Sequence, residues 1–179
     1  PAIASHSSCR KFTPGWPRNM GDDMIRELAK NGGVIQINFG SGFIDSAIQK
    51  QQTKFYKELK AELAKQKLDF DNPTAKPVIE EYKKTHQLAY ATVEQVADHF
   101  DHVKKLVGVD HIGFGSDFDG VGDTLPTGLK DVSAYPNLIR VLLDRGYTES
   151  EIEKICSGNV LRVWRAAEAH AKAASAEPK

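Results

Sequence analysis

Ionisable side chains follow two short apolar segments that have the pattern of buried strands. His6 comes directly after residues 2–5, and Asp117 and Asp119 come directly after residues 111–116. Neutral imidazole is a common zinc ligand, and the hydroxyl groups of neighbouring serines can orient its ring. A carboxylate at the tip of a strand can hold a metal-activated water and transfer its proton. These residue types could therefore hold a metal-bound water and transfer its proton at one end of a parallel sheet.

Each of these segments, taken alone, also fits a structural role. A lone histidine such as His6 can be a hydrogen-bonded loop residue, because one ligand does not make a metal site. Asp117 can form an Asx-turn or cap a helix. If the strand continues past residue 116, alternation places Asp117 and Asp119 on the same side, and the flanking glycines let other backbone approach.

A second group of ionisable residues is predicted to be structural. Residues 98–102 carry two aspartates and two histidines, His99 and His102, about one helical turn apart. Their helix follows the second strand and therefore lies outside the sheet, away from the strand tips. Cys9 is interpreted as a packed thiol, and Cys9 and Cys156 form no disulfide framework. The remaining histidines are interpreted as surface or packing residues: His86, His111 and His170.

The elements that must position these side chains form an α/β pattern. Residues 2–5, 33–39 and 111–116 are short, apolar and flanked by turn residues, as is typical of parallel strands covered on both faces. Helices alternate with them, at residues 22–31 and 93–107 and in two further segments near the C-terminus.

Capping residues predict where these helices begin. Asn19 is expected to cap residues 22–31, and Gly32 to end them. Thr92 with Gln95 and Thr148 with Glu151 have the spacing of capping boxes. Asn159 is expected to cap the last helix.

Two parts of the chain depart from this alternation. Residues 46–90 are highly charged and helix-prone, with an interruption at 69–77, and are interpreted as a helical insertion on a strand-to-helix loop. The alanine-rich residues 166–179 are expected to form a tail that frays after one or two turns.

Composition limits the function classes. The chain has 179 residues, enough for one domain, and 24 Lys and Arg against 24 Asp and Glu, so no net field attracts nucleic acid or an anionic membrane. No apolar run approaches the roughly 18 residues of a membrane helix. The first residues do not have the pattern of a signal peptide, and we expect the chain to be processed, cut or partly represented. The sequence does not indicate a localisation.

Six motifs occur in order along the chain: SHSS at 5–8, PRN at 17–19, VIQINF at 34–39, VADHFDH at 96–102, GFGSDFDG at 113–120 and GNVLRV at 158–163. Together they resemble those of the membrane (renal) dipeptidase family, whose members are zinc-dependent barrels related to amidohydrolases. The resemblance covers nearly the whole chain outside residues 46–90. It implies a (β/α)8 barrel of which residues 1–179 form the C-terminal portion, with strands six to eight. It also implies two zinc ions and hydrolysis of dipeptides by a water that bridges the metals.

The resemblance also assigns residues. His6 matches a ligand of the second zinc, and Asp117 matches the aspartate that relays a proton to the leaving amine. Arg18 matches the arginine that binds the substrate carboxylate, for which a guanidinium fork is well shaped. Phe43 replaces a tyrosine that lines the substrate pocket in the family.

The other metal ligands of the family are absent from these 179 residues, and three strands leave two open sheet edges. A missing N-terminal half or a companion chain is therefore expected to supply strands one to five, and a homo-oligomer is also open. Two other functions remain: an inactive homologue used for binding or assembly, and a related barrel hydrolase that acts on another amide or a lactone.

Overall fold

A small parallel sheet forms the centre of the protein. The computed structural model describes residues 1–176, with three strands: β1 (Ile3–Ser7), β2 (Val34–Asn38) and β3 (Ile112–Ser116). They are adjacent and parallel in the order β1-β2-β3, which confirms the predicted sheet.

Helices follow and cover the strands. The α/β fold predicted from the sequence is confirmed. The described residues form three strands, fewer than a complete barrel needs. The helices are α1 (Asp22–Lys30), α2 (Ser41–Ile44), α3 (Ser46–Lys65), α4 (Lys76–Thr85), α5 (Val93–Val107), α6 (Tyr135–Asp144), α7 (Glu149–Glu153) and α8 (Asn159–Ala176).

Two of the four predicted helix caps are present. The Thr92 and Thr148 side chains each accept a hydrogen bond from the backbone N–H of the residue three positions later, and both capping boxes are complete. The Asn19 cap is wrong, because Gly21 precedes α1. The Asn159 cap is also wrong: a π-helical stretch, Lys154–Gly158, joins α7 to α8 without a break.

The core lies on both faces of the sheet. The side chains of β2 are almost fully covered, because helices pack on either side of this central strand. The largest fully buried side chains of the cluster include Ile35, Ile37, Phe39, Phe100, Leu138 and Leu142.

Both edges of the sheet lack a partner strand among the described residues, and the β1 edge is also apolar. β1 pairs only with β2 among the described residues, and Ile3 at its start is 40% exposed. On the same side of the molecule, Trp164 of α8 is 60% exposed and borders a surface cavity of about 350 Å³ together with Ile3. This edge presents unpaired backbone and apolar surface together.

Residues 46–90 contain two helices with a core of their own. α3 and α4 enclose Phe55, Leu59 and Leu63, in a cluster separate from that of the sheet. In the predicted tail, α8 continues to Ala176, and residues 177–179 lie outside the described residues. Fraying of this tail in solution stays a prediction. Among the described residues, none of the helices combines the length and the hydropathy needed to cross a membrane.

Candidate active site

His6 and Asp117 lie at the same end of the sheet. Asp117 directly follows β3, and His6 is the fourth of the five residues of β1, near its carboxyl end. His6 was expected just after the strand, but pairing resumes at Ser7 opposite Ile37 and so extends β1 past it. Because β2 runs between them, the two backbones are two strand spacings apart, about 10 Å.

Irregular strand pairing occurs at His6 and just before Asp117. Between Ala4 and Ser7, β1 advances three residues while β2 advances two, so an extra residue is accommodated where His6 lies. Between Phe114 and Ser116, β3 advances two residues while β2 advances one. Bulges of this kind turn a strand locally and re-aim its side chains, and they are common next to active sites.

The turn that carries Asp117 has an unusual backbone. Ser116 and Asp117 have φ values of 45° and 66°, in the left-handed region that few residues other than glycine adopt. Several contacts hold this turn. The Ser116 carbonyl accepts a hydrogen bond from Phe39 N at 3.1 Å. The Ser116 side-chain hydroxyl is hydrogen-bonded to the Tyr135 hydroxyl. The Asp117 carbonyl accepts from Gly120 N at 3.1 Å.

Asn38 holds the Asp117 carboxylate. Asn38 is fully buried at the end of β2, and its Nδ2 donates to Asp117 Oδ2 at 2.7 Å. Its Oδ1 accepts from Gly40 N at 2.7 Å, which fixes the amide orientation. A Cβ at Gly120 would lie 2.1 Å from Asp117 Oδ1, so only glycine leaves room for this carboxylate. The role of Asn38 was not predicted, although a buried asparagine ending an apolar strand is a signal for one.

Asp119 does not accompany Asp117. The expectation that both carboxylates share one side required β3 to continue, but β3 ends at Ser116 and the left-handed turn follows. Asp119 is exposed on the loop beyond.

The His6 imidazole has one free nitrogen. Ser5 Oγ lies 2.8 Å from His6 Nδ1, which leaves Nε2 of this exposed side chain without a hydrogen-bond partner among the described residues. This is the arrangement of a metal-binding histidine whose second nitrogen is oriented by a neighbour. Ser7 and Ser8 instead bind the backbone carbonyls of Arg18 and Asn38, at 3.2 and 3.0 Å.

Arg18 lies beside His6. Its Nη2 donates to the His6 carbonyl at 2.9 Å, and its guanidinium lies 5.1 Å from the centre of the Phe43 ring. Trp16 packs on Phe43 at 4.7 Å. Buried Asn19 ties these loops together, since its Nδ2 donates to the Phe43 carbonyl at 2.7 Å and its Oδ1 accepts from a backbone N–H of the β1 loop. The two predicted substrate-binding residues are thus in contact.

The described residues hold only part of a metal site. They contain no group of three or more His, Cys, Asp or Glu side chains that could hold an ion. His6 Nε2 and Asp117 Oδ1 are both without a hydrogen-bond partner among the described residues. Both atoms are of the kinds found at zinc centres, so both residues fit as contributors to a centre that needs further ligands.

The histidine and cysteine side chains that were set aside as structural are buried or paired. His99 is fully buried, with Nδ1 accepting from Cys9 N and Nε2 donating to the Ile44 carbonyl, both at 3.0 Å. Burial lowers the pKa of His99 to about 4 and raises the pKa of the Cys9 thiol. His102 Nε2 lies 2.8 Å from Asp22 Oδ1. Both ring nitrogens of His99 and Nε2 of His102 are therefore engaged within the protein.

The two aspartates of residues 98–102 bind one arginine. Arg145 Nη1 donates to Asp98 Oδ1 at 2.8 Å and to Asp101 Oδ2 at 2.6 Å. This pairing fixes α5 to the end of α6 and leaves neither carboxylate directed at a metal. Elsewhere, His111 contacts the Gly33 carbonyl at 2.8 Å, His86 stacks on Tyr82, and His170 is exposed.

Comparisons with known proteins agree on one family. The sequence model of the family described as membrane dipeptidase (peptidase family M19) matches residues 1–178. Dipeptidase 3 of Mus musculus is 32% identical over 94% of this chain, and an uncharacterized dipeptidase of Schizosaccharomyces pombe is 36% identical over 94%. The chain spans only 25% and 31% of these two relatives.

Solved structures give the same result. The probable dipeptidase PvdM from Pseudomonas aeruginosa superposes with a TM-score of 0.65 at 28% identity, over 92% of this chain and 44% of that one. A metallopeptidase from Rhodobacter sphaeroides, liganded with a phosphinate mimic of the dipeptide L-Ala-D-Ala, has a TM-score of 0.61 at 26% identity, over 89% and 34%.

Proposed function

Because this chain belongs to the membrane dipeptidase family (peptidase family M19), we propose that it forms part of a zinc-dependent dipeptidase whose proton relay is Asp117. One observation carries the proposal: Asn38 fixes the Asp117 carboxylate at the end of the sheet where His6 also lies. A carboxylate held by a buried amide, on a strained turn at the strand tips, is positioned for chemistry.

The residues of the chain would divide the work. Zinc, when bound, supplies Lewis-acid polarisation of the scissile carbonyl and activation of a water molecule. His6 would bind the metal through its free Nε2. Asp117 would take a proton from the attacking water and deliver it to the amide nitrogen, as the new C–O bond forms and the C–N bond breaks. The Asn38 hydrogen bond on Oδ2 leaves Oδ1 for this transfer.

Arg18 would bind the free carboxylate of the substrate. Its guanidinium is exposed and is oriented by the His6 carbonyl and by the Phe43 ring. Both contacts use one Nη and one face of the group, so the fork can still pair with a carboxylate. A clamp on the terminal carboxylate would restrict substrates to dipeptide length.

The remaining metal ligands would come from additional polypeptide. The open edge of β1 is the place where a further strand would pair, and the exposed Trp164 and Ile3 beside it supply apolar surface. We therefore propose strands six to eight of a (β/α)8 barrel, completed by an N-terminal half or a companion chain. We refer to this chain with that polypeptide as the assembled enzyme. Residues 46–90 would be an insertion between the strand β2 and the helix α5 of the barrel.

The test is hydrolysis by the assembled enzyme. Because the R. sphaeroides neighbour binds a mimic of L-Ala-D-Ala, the panel should contain both L-Ala-L-Ala and L-Ala-D-Ala, with their C-terminal amides and a lactone. We expect release of free alanine that a chelator abolishes and zinc restores, with amides cleaved poorly. Absence of hydrolysis at saturating zinc would indicate an inactive homologue, and faster lactone cleavage would indicate the related hydrolase.

A further inference from the structure

A cavity adjoins the candidate site at the strand tips. Its volume is about 290 Å³, and it lies between α2, α3 and the loops that follow β1 and β3. That volume is at the lower end of the range for whole small-molecule sites, about 300–1,000 Å³, so it suits one part of a ligand. Its walls include Trp16, Phe43, Gln49, Thr53, Tyr56 and Thr124.

The cavity is aromatic and uncharged. Trp16, Phe43 and Tyr56 supply three rings, and the other lining residues are glutamines, threonines and a glycine. Burial raises the pKa of the Tyr56 hydroxyl, which stays neutral at physiological pH. A charged group that entered would lose hydration without gaining an ionic partner from the lining residues, whereas removal of apolar or aromatic surface from water is favourable.

The wall contributed by α3 is rigidly held. Gln52 is 7% exposed, and its Nε2 donates to the Ala89 carbonyl at 2.8 Å. A Cβ at Gly42 would lie 3.0 Å from Gln52 Oε1, so α2 and α3 are closely packed there. Lys83 Nζ pairs with Asp123 Oδ2 at 3.0 Å and ties α4 to the loop after β3. The cavity is therefore formed before any ligand binds.

Phe43 connects the cavity to Arg18. The same ring that packs on Trp16 within the cavity wall has the Arg18 guanidinium 5.1 Å from its centre. A carboxylate held by Arg18 belongs to the C-terminal residue of a dipeptide, and the side chain of that residue branches one carbon away. Of the two substrate side chains, this one is the nearer to the cavity.

We propose that this cavity binds the C-terminal side chain of the dipeptide and selects bulky uncharged side chains. This inference rests on the proposed function, and it assigns to α3, within residues 46–90, a role in substrate specificity. Thr53 and Tyr56 contribute the α3 part of the wall.

Thr53→Trp in the assembled enzyme tests the proposal by filling the cavity. Thr53 is exposed, and its hydroxyl contacts only the Gln49 carbonyl, so the helix should tolerate the change. The substrates are Ala-Gly, Ala-Leu, Ala-Phe, Ala-Asp and Ala-Lys, with a second series that varies the N-terminal residue. Wild type should prefer Ala-Leu and Ala-Phe. The variant should lose at least tenfold in kcat/KM on these two relative to Ala-Gly, without changing the N-terminal series.

Two further variants complete the test. Lys60→Trp, two turns further along α3 and exposed, should leave the profile unchanged. Gln49→Glu places a carboxylate in the wall and should raise kcat/KM on Ala-Lys relative to Ala-Phe at least tenfold. An active enzyme whose profile is the same in wild type, Thr53→Trp and Gln49→Glu would overturn the cavity assignment alone. Absence of hydrolysis of every dipeptide would overturn the proposed function and this inference with it.

Discussion

Asp117 occupies a backbone conformation that costs free energy. Left-handed φ values at two successive non-glycine residues, Ser116 and Asp117, each cost about 1–3 kcal/mol and persist only where the surroundings enforce them. Here the contacts from Phe39, Tyr135 and Asn38 do so. The result is a carboxylate with one oxygen engaged and one available at the strand tips.

Asp117→Asn should remove most turnover and keep the metal. Asparagine retains the size of the side chain and an oxygen that can accept from Asn38, but it cannot relay a proton. Because general acid–base groups contribute about 10²–10⁴-fold, kcat should fall by that factor. His6→Ala should instead lower the zinc content measured by elemental analysis. A near-normal kcat in Asp117→Asn would remove the proposed relay.

Arg18→Lys should weaken recognition of the substrate carboxylate. An ammonium keeps the charge but lacks the fork geometry, and loss of the charge-assisted hydrogen bonds should cost about 1.5–3 kcal/mol in kcat/KM. Wild type should prefer each dipeptide strongly over its C-terminal amide, and the variant should lose most of this preference. Zinc content is the control, because Arg18 also contacts the His6 carbonyl. An unchanged preference in Arg18→Ala would assign the clamp to another residue.

The sequence predicted where the strand-end residues lie, but not which buried polar residues hold them. The positions of His6 and Asp117 could be predicted because each adjoins an apolar run, a pattern visible within a few positions. The partner of Asn38 is 79 residues away in sequence, so no local pattern could reveal that bond. Asn19 was interpreted as a helix cap because its type and place fit one, yet in the fold its side chain links the connection between β1 and α1, at Ser8 and Thr13, to Phe43 of α2.

At the scale of elements, α5 is joined to the candidate site through a buried histidine. His99 bridges the backbone of Cys9, in the loop after β1, and that of Ile44, in α2. Neutral imidazole satisfies both groups, since one nitrogen accepts and the other donates. A charged imidazolium would lose the acceptor and carry an unsolvated charge.

This bridge predicts that stability falls in mild acid. Folded His99 binds a proton only near pH 4, whereas the unfolded residue does so near 6.5. Between these values the unfolded state holds more protons, so stability present above about pH 6.5 is lost as the pH falls towards 4. A pKa difference of this size corresponds to a loss of about 3 kcal/mol in the free energy of unfolding.

His99→Gln is the matched control for that prediction. The glutamine amide can accept from Cys9 and donate to Ile44, but it does not titrate. Denaturant unfolding across pH 4–7 should therefore show a shallower acid dependence in the variant. An identical slope in both proteins would show that other groups cause the loss.

Helix boundaries differed in how far they could be predicted. The capping boxes at Thr92 and Thr148 are confirmed. They could be predicted because the two side chains of each box lie within four consecutive residues. The Asn159 cap failed because its amide binds the carbonyls of Val109 and Ile112, 50 and 47 residues away, inside a continuous helix. The irregular pairing that extends β1 past His6 depends on β2 and likewise has no local signal.

At the scale of the whole molecule, the open edge of β1 and the exposed part of α8 indicate an interface. Trp164→Glu should destabilise the assembled enzyme by about 2 kcal/mol or more, because the proposed neighbour would cover this ring. Leu143→Glu is the control: Leu143 of α6 is 42% exposed and does not line the surface cavity between Ile3 and Trp164, and its change should cost less than about 0.5 kcal/mol. Equal losses in the two variants, measured by denaturant unfolding, would contradict the interface.

The most direct test of the account is the position of zinc in a crystal of the assembled enzyme, measured by anomalous scattering at the zinc edge. We predict a peak at bonding distance from His6 Nε2, about 2.0–2.1 Å, on the side of the sheet where Asp117 Oδ1 is free. Further ligands should come from the polypeptide beyond these 179 residues. A crystal with full zinc occupancy and no peak at His6, or with the metal bound instead at His102 and Asp22, would contradict the assignment of the active site.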